Sequence, residues 1–204
     1  MCTFDRHKRR LRIFLSLRWA IGLIDPGSAF LVFEVKFMEK LAGLMASYKS
    51  YHNHSINVYT HFIGVPLVSF SVFLFLAWFR FVAPSFPISL AMIFFGGSMV
   101  HYFRLDREIA TYIFLTFGPL LVLAEICARL TFSTSFSVFL STFIVGWIFQ
   151  LVGHYFEGKR PALVDNFFQI FNAPAFIVCE ALWMLGRRKE LQDAVTNISQ
   201  PTAV

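Results

Sequence analysis

Long stretches free of Asp, Glu, Lys and Arg dominate the chain after residue 50. Ser50–Phe79 is the first, apolar from about Phe62 to Val82. Phe81–Phe103 follows, opened by the turn-forming segment Ala83–Pro87, then Ile109–Cys127, interrupted near its end by Glu125, then Leu130–Phe156. A bilayer core about 30 Å thick takes roughly 20 apolar residues of helix, so each of the four is read as a membrane-crossing helix. A fifth apolar stretch, Phe167–Leu185, is broken by Asn172, Pro174 and Glu180. It is read either as a crossing or as a re-entrant hairpin, because broken backbone at membrane depth survives only where protein or water satisfies it. The connections Arg104–Glu108 and Arg129–Thr131 are short enough to make successive helices antiparallel neighbours. The expected architecture is therefore an all-α integral membrane bundle of four transmembrane helices plus a fifth apolar helix.

Upstream, MEKLAGLMASYKSYH from Met38 reads as an amphipathic helix approaching the membrane surface. Residues 1–37 form a basic and apolar extension. Ile13–Leu23 resembles a signal-peptide core, but Asp25-Pro26-Gly27 ends the run and no small-residue cleavage site follows. A loosely membrane-associated extension, or translation starting at Met38, fits better. The expected division is 1–37, one membrane domain over 38–186, and a polar tail over 187–204.

Composition narrows the class. Hydrophobic residues make up 57% of the 204 positions and charged residues 15%, against roughly 25% charged in an average soluble domain. A soluble enzyme is excluded on this ground, and the 27 Phe residues exclude disorder. The net charge of +6 does not signal nucleic acid, because the excess sits mostly in the first fifty residues. With four spans, all of the 18 basic residues except Arg80 and Arg129 fall on one side, which the positive-inside rule assigns to the cytoplasm. Cys2, Cys127 and Cys179 are too dispersed for a disulfide framework or a thiolate site.

Five of the six histidines then fall at one membrane face: His52, His54 and His61 at the entrance of the first span, His101 at the exit of the second, His154 at the exit of the fourth. Imidazoles gathered from separate segments suit Fe, Zn, Cu or Ni. Each histidine taken singly also fits an interfacial side chain with a polar tip and an apolar body. His54, Asn57 and His61 stand at i, i+3 and i+7 on one helical face, whereas His52 shares a site with His61 only if the helix begins between them. In Gly153–Asn166, Glu157 lies three residues after His154 and either joins a metal or orients the imidazole. Lys159 and Arg160 suit a carboxylate head group or simple interfacial anchoring. Asp165 and Asn166 suit substrate contact or capping of the next helix. Glu125 and Glu180 are expected as solvated span-end groups, with proton carriage as their functional alternative.

The blocks YHNHSINVYTHFIGVP (Tyr51–Pro66) and GWIFQLVGHYFEGKRPALVDNFFQIFNAP (Gly146–Pro174) resemble the membrane family of 2-hydroxy fatty acid dioxygenases, over about Met38–Gly186. That resemblance implies an Fe(2+)-dependent enzyme that uses O2 to shorten a 2-hydroxy fatty acid by one carbon, the oxidative step of α-oxidation. Its setting would be the endoplasmic reticulum in a eukaryote or the inner membrane in a bacterium. Carried residue by residue, it implies His52, His61 and His154 as metal ligands, with Asn57 between the first two, and so favours His52 over His54. His54 and His101 stay as further candidate ligands. Glu157, Lys159 and Arg160 are then expected at the chemistry, and Asn57, Asp165 and Asn166 at the substrate. The alternatives are another metal-dependent lipid enzyme, a small transporter, or a non-enzymatic membrane protein. The sequence sets no oligomeric state.

Overall fold

The computed structural model describes residues 26–81, 87–161 and 167–199. The chain divides into two units, Met1–Phe37 and Met38–Val204, and the helical bundle belongs to the second. Helix α1 spans Pro26–Lys49 and α2 spans Ser55–Ala77. A two-residue hairpin follows, β1 (Arg80–Phe81) antiparallel to β2 (Ile88–Ser89), with Arg80 opposite Ser89. Then come α3 (Leu90–Leu105), α4 (Arg107–Cys127), α5 (Phe132–Glu157), a 3₁₀ turn over Phe167–Phe171, α6 (Asn172–Met184) and α7 (Lys189–Ser199).

Three of these helices, α2, α4 and α5, are long and apolar enough to cross a membrane. The second expected span is shorter than its apolar run. The hairpin takes its first residues, and α3 starts only after Ser89, whose hydroxyl accepts from the Met92 N–H at 3.1 Å. Its 16 residues rise about 24 Å, less than a bilayer core. Among the described residues a fourth stretch of spanning length arises if Gln169–Met184 and Lys189–Ser199, bent by 116°, count as one broken span, and α3 is a shorter apolar helix. Most of the expected Ala83–Pro87 turn lies outside the described residues, as do Asp165, Asn166 and His7.

Local signals explain the boundaries. A single residue, Asp106, joins α3 to α4, and its carboxylate accepts from the Ile109 N–H at 3.0 Å. Gly158, at φ 69°, ends α5 in the left-handed conformation that glycine adopts without strain. From residue 189 the segment expected as a polar tail forms α7, which buries Leu191, Ala194 and Val195. Arg188 ties it back to Asp106 and Glu108 at 2.5 and 2.9 Å.

Helix α2 is central and packs on α3, α4, α5 and α6, most extensively on α5. In contrast, α5 buries only Ser135, Gly146, Gly153 and His154, and exposes Phe132, Phe136, Leu140, Ile144, Ile148 and Leu151. A helix apolar all round yet covered along one stripe is suited to lipid on its other faces. Its contact stripe is narrow because the backbones nearly touch. A β-carbon at Gly146 would lie 2.8 Å from Val68 Cγ2, and one at Gly153 would lie 2.2 Å from Thr60 Oγ1.

The two acidic groups in apolar surroundings are buried and paired rather than solvated. Glu125 meets Arg80 at 2.8 Å and accepts from the Ser89 hydroxyl, while Glu180 pairs with Lys49.

Candidate metal centre

Three segments converge where the first turns of α2 meet the last turn of α5. The short loop after α1 carries His52, α2 carries Asn57 and His61, and α5 carries His154 and Glu157. His52 and His61 are fully inaccessible and His154 is 5% exposed. One ligand-capable nitrogen from each lies within 4.8 Å of those of the other two. The structure thus assembles the three histidines that the resemblance selects.

The hydrogen bonds determine what the rings present. His52 Nδ1 lies 2.8 Å from the Tyr48 carbonyl and His61 Nδ1 lies 2.8 Å from the Asn57 carbonyl. A carbonyl only accepts, so each Nδ1 carries the proton, and in the neutral ring each Nε2 keeps a bare lone pair. Those two Nε2 atoms face each other at 3.1 Å. Two acceptors so placed repel unless a cation lies between them, and nitrogens held at about 2.1 Å by one metal in adjacent positions stand about 3 Å apart. His154 contributes a buried Nδ1 with no hydrogen-bond partner among the described residues. The residues present therefore fit a metal ion held by three neutral imidazoles.

The surroundings keep His52 neutral. Burial, and after it the neighbouring His61, pushes the His52 imidazole far below its ordinary range. Tyr48 stacks on His52 with ring centroids 4.2 Å apart, and Phe176 covers the ring at 5.3 Å. Neither residue carried a sequence signal that tied it to the histidines.

Glu157 stands outside the three-nitrogen group and acts on the loop. Its carboxylate accepts from the backbone N–H groups of Asn53 (3.0 Å) and His54 (2.7 Å) and from Asn57 Nδ2 (3.2 Å). It therefore fixes the approach to α2 at the helix's positive end. Asn57 also donates to the Tyr51 carbonyl at 3.0 Å, while its own carbonyl holds His61. Lys159 donates to the Ser50 carbonyl at 2.6 Å, so it braces the same loop. Arg160 is exposed.

The other two candidate histidines lie elsewhere. His54 is the N-cap of α2, accepting from the Ile56 N–H at 3.2 Å, and is exposed. His101 lines a separate groove with Lys40 and Leu44.

Glu157→Gln keeps the shape but surrenders the charge that strengthens three hydrogen bonds. It is expected to weaken metal binding by about 10- to 100-fold, the usual cost of losing a ligand-orienting partner, read by metal titration of the purified protein.

The fold and site define the class: an apolar helical bundle, with helices long enough to cross a membrane, that carries three convergent imidazoles at one buried end. The 2-hydroxy-palmitic acid dioxygenase Mpo1-like family matches residues 38–185, and the chain belongs to that family. It is 34% identical over 170 residues to the 2-hydroxy-palmitic acid dioxygenase MPO1 of Saccharomyces cerevisiae, an alignment that covers 72% of this chain and 82% of the relative. No solved structure matches the chain.

Proposed function

We propose that the protein is an Fe(2+)-dependent dioxygenase that converts a 2-hydroxy fatty acid and O2 into the fatty acid one carbon shorter, CO2 and water. The C1–C2 bond breaks, C1 leaves as CO2, C2 rises from alcohol to carboxyl level, and O2 accepts four electrons, so atoms and electrons balance. The observation that carries this reading is the pair of mutually facing imidazole lone pairs beside a third buried histidine, in a chain of a dioxygenase family.

In this reading His52, His61 and His154 would hold the iron, which when bound would relay electrons from the substrate to O2 and serve as the template for that chemistry. The Tyr48 and Asn57 carbonyls orient the first two imidazoles, and Glu157 secures the loop that carries His52. With Lys159 engaged by the Ser50 carbonyl, the exposed Arg160 offsets the charge of the substrate carboxylate, and Asn57, Asp165 and Asn166 contact its polar end. Burial of the cluster excludes bulk water from the reacting groups. By the positive-inside rule the site faces the cytoplasm, from a bacterial inner membrane or an endoplasmic reticulum membrane. A lipid that rests with its carboxylate at the surface and its chain in the bilayer then arrives already aligned.

The test is metal analysis of detergent-purified protein together with oxygen uptake on 2-hydroxypalmitic acid. Stoichiometric iron, oxygen consumption and pentadecanoic acid as product are expected, with activity removed by chelation and restored by Fe(2+). Tightly held zinc without oxygen consumption would sink the proposal and favour a hydrolase.

A further inference from the structure

Two inner cavities lead away from the histidine cluster. The first, about 50 Å³, opens on His154 and is walled by Tyr48, Val65 and Trp147. The second, about 80 Å³, is lined by Phe73, Phe95, Ile113 and Phe117. They share Val68, Ser69, Ile170 and Pro174, so they lie side by side with those residues between them. On α2 the lining residues Val65, Val68, Ser69, Val72 and Phe73 follow His61 at helical steps. They form one face, and it runs from a candidate ligand about 18 Å along the helix.

Beyond the second cavity lies an outer groove of about 600 Å³ lined by Lys40, Leu44, Ile93 and His101. Phe94, Ser98 and Phe171 border both spaces. The Phe94 and Phe171 rings are 5.8 Å apart and form the wall between them. The backbone behind this wall is held, since Tyr102 donates to the Phe171 carbonyl at 2.6 Å. Ser98 spends its hydroxyl on the Phe94 carbonyl at 2.8 Å, which leaves the passage apolar.

We propose that the acyl tail of the substrate runs from the three-imidazole cluster along this face of α2, and that the Phe94–Phe171 pair is the partition that turns aside to let it reach the outer groove. The inference rests on the dioxygenase reading. The occupant follows from position and lining: the first cavity opens on His154, the second beside it is walled mainly by Val, Ile and Phe side chains, and the groove borders the second. Sites for drug-sized ligands measure about 300 to 1,000 Å³. The inner cavities fall below that range and the groove lies within it, so a long chain needs both, and the two rings must move.

The direct test uses full-length wild-type protein and a 2-hydroxypalmitic acid analogue with a diazirine near its methyl end, irradiated and mapped by mass spectrometry. Label within 65–73, 93–98 or 113–117 supports the path. Label confined to the outward face of α5, at Phe136, Leu140 or Ile144, overturns it. A second arm uses chain-length preference. Ser69→Phe blocks the junction and is expected to lower the ratio of kcat/KM for 2-hydroxypalmitic over 2-hydroxyoctanoic acid roughly a hundredfold, the effect of a few methylenes denied burial. Phe171→Ala is expected to raise that ratio. Wild-type ratios in both variants overturn the path. Wild-type protein that consumes no oxygen with any 2-hydroxy acid defeats the dioxygenase reading instead. Labelling tells the two failures apart, because it needs binding alone.

Discussion

Replacing His154 by alanine is expected to abolish stoichiometric metal and to lower oxygen uptake on 2-hydroxypalmitic acid by more than about a hundredfold, beyond the usual cost of losing a mere orienting partner. The His52 and His61 nitrogens 3.1 Å apart remain in the variant, but the third imidazole of the proposed ligand set is gone. His54→Ala is the matched control. It removes a solvent-facing cap and is expected to cost about 1 kcal/mol of stability or less while metal content stays at the wild-type level. Equal metal loss in the two variants, measured on folded, detergent-purified protein, would refute the assignment of the ligands.

Gly153→Val is expected to be as damaging without touching a donor atom. Even the first added carbon would lie 2.2 Å from Thr60 Oγ1 and 2.5 Å from Asn57 Oδ1, against the backbone of α2. Overpacking of this kind costs about 1–3 kcal/mol and sometimes more, because the helices must separate. Separation would draw His154 away from His61 and break the bond from Asn57 to Glu157. Thermal denaturation should show a lowered midpoint, and metal should be lost together with it. Gly158→Ala provides the comparison. It meets no neighbour within 4 Å and bears only the cost of φ 69°, about 1 kcal/mol, so metal binding should survive.

Much of this architecture was legible because a bilayer demands long apolar helices, and α2, α4 and α5 announce themselves by length alone. The shortness of α3 was hidden, since counting apolar residues does not locate a helix start. That start depends on the hairpin and on the Ser89 cap. Helical spacing also pointed to His54, Asn57 and His61 on one face. The resemblance favoured His52, and the reason is now visible. Helix α2 begins at Ser55, so His52 lies off the helix, on a loop curled back by Glu157 and Lys159, where periodicity says nothing. The same two residues, expected at the chemistry, spend their charges on backbone groups of that loop. The partners of Glu125 and Glu180 were equally out of reach, with Lys49 lying 131 positions from Glu180 along the chain.

The three histidines come from a loop and two helices that meet only in the packed bundle. An ion gripped by all three therefore binds the assembled protein and not its scattered segments, and mass action turns that preference into stability. A hundredfold excess of free ion over its dissociation constant adds about 2.7 kcal/mol to the folded side. Metal supply would then govern how much protein survives quality control in the membrane as well as how fast it works. Cells starved of the ion should hold less of the chain, a deficit that no change in its synthesis would explain.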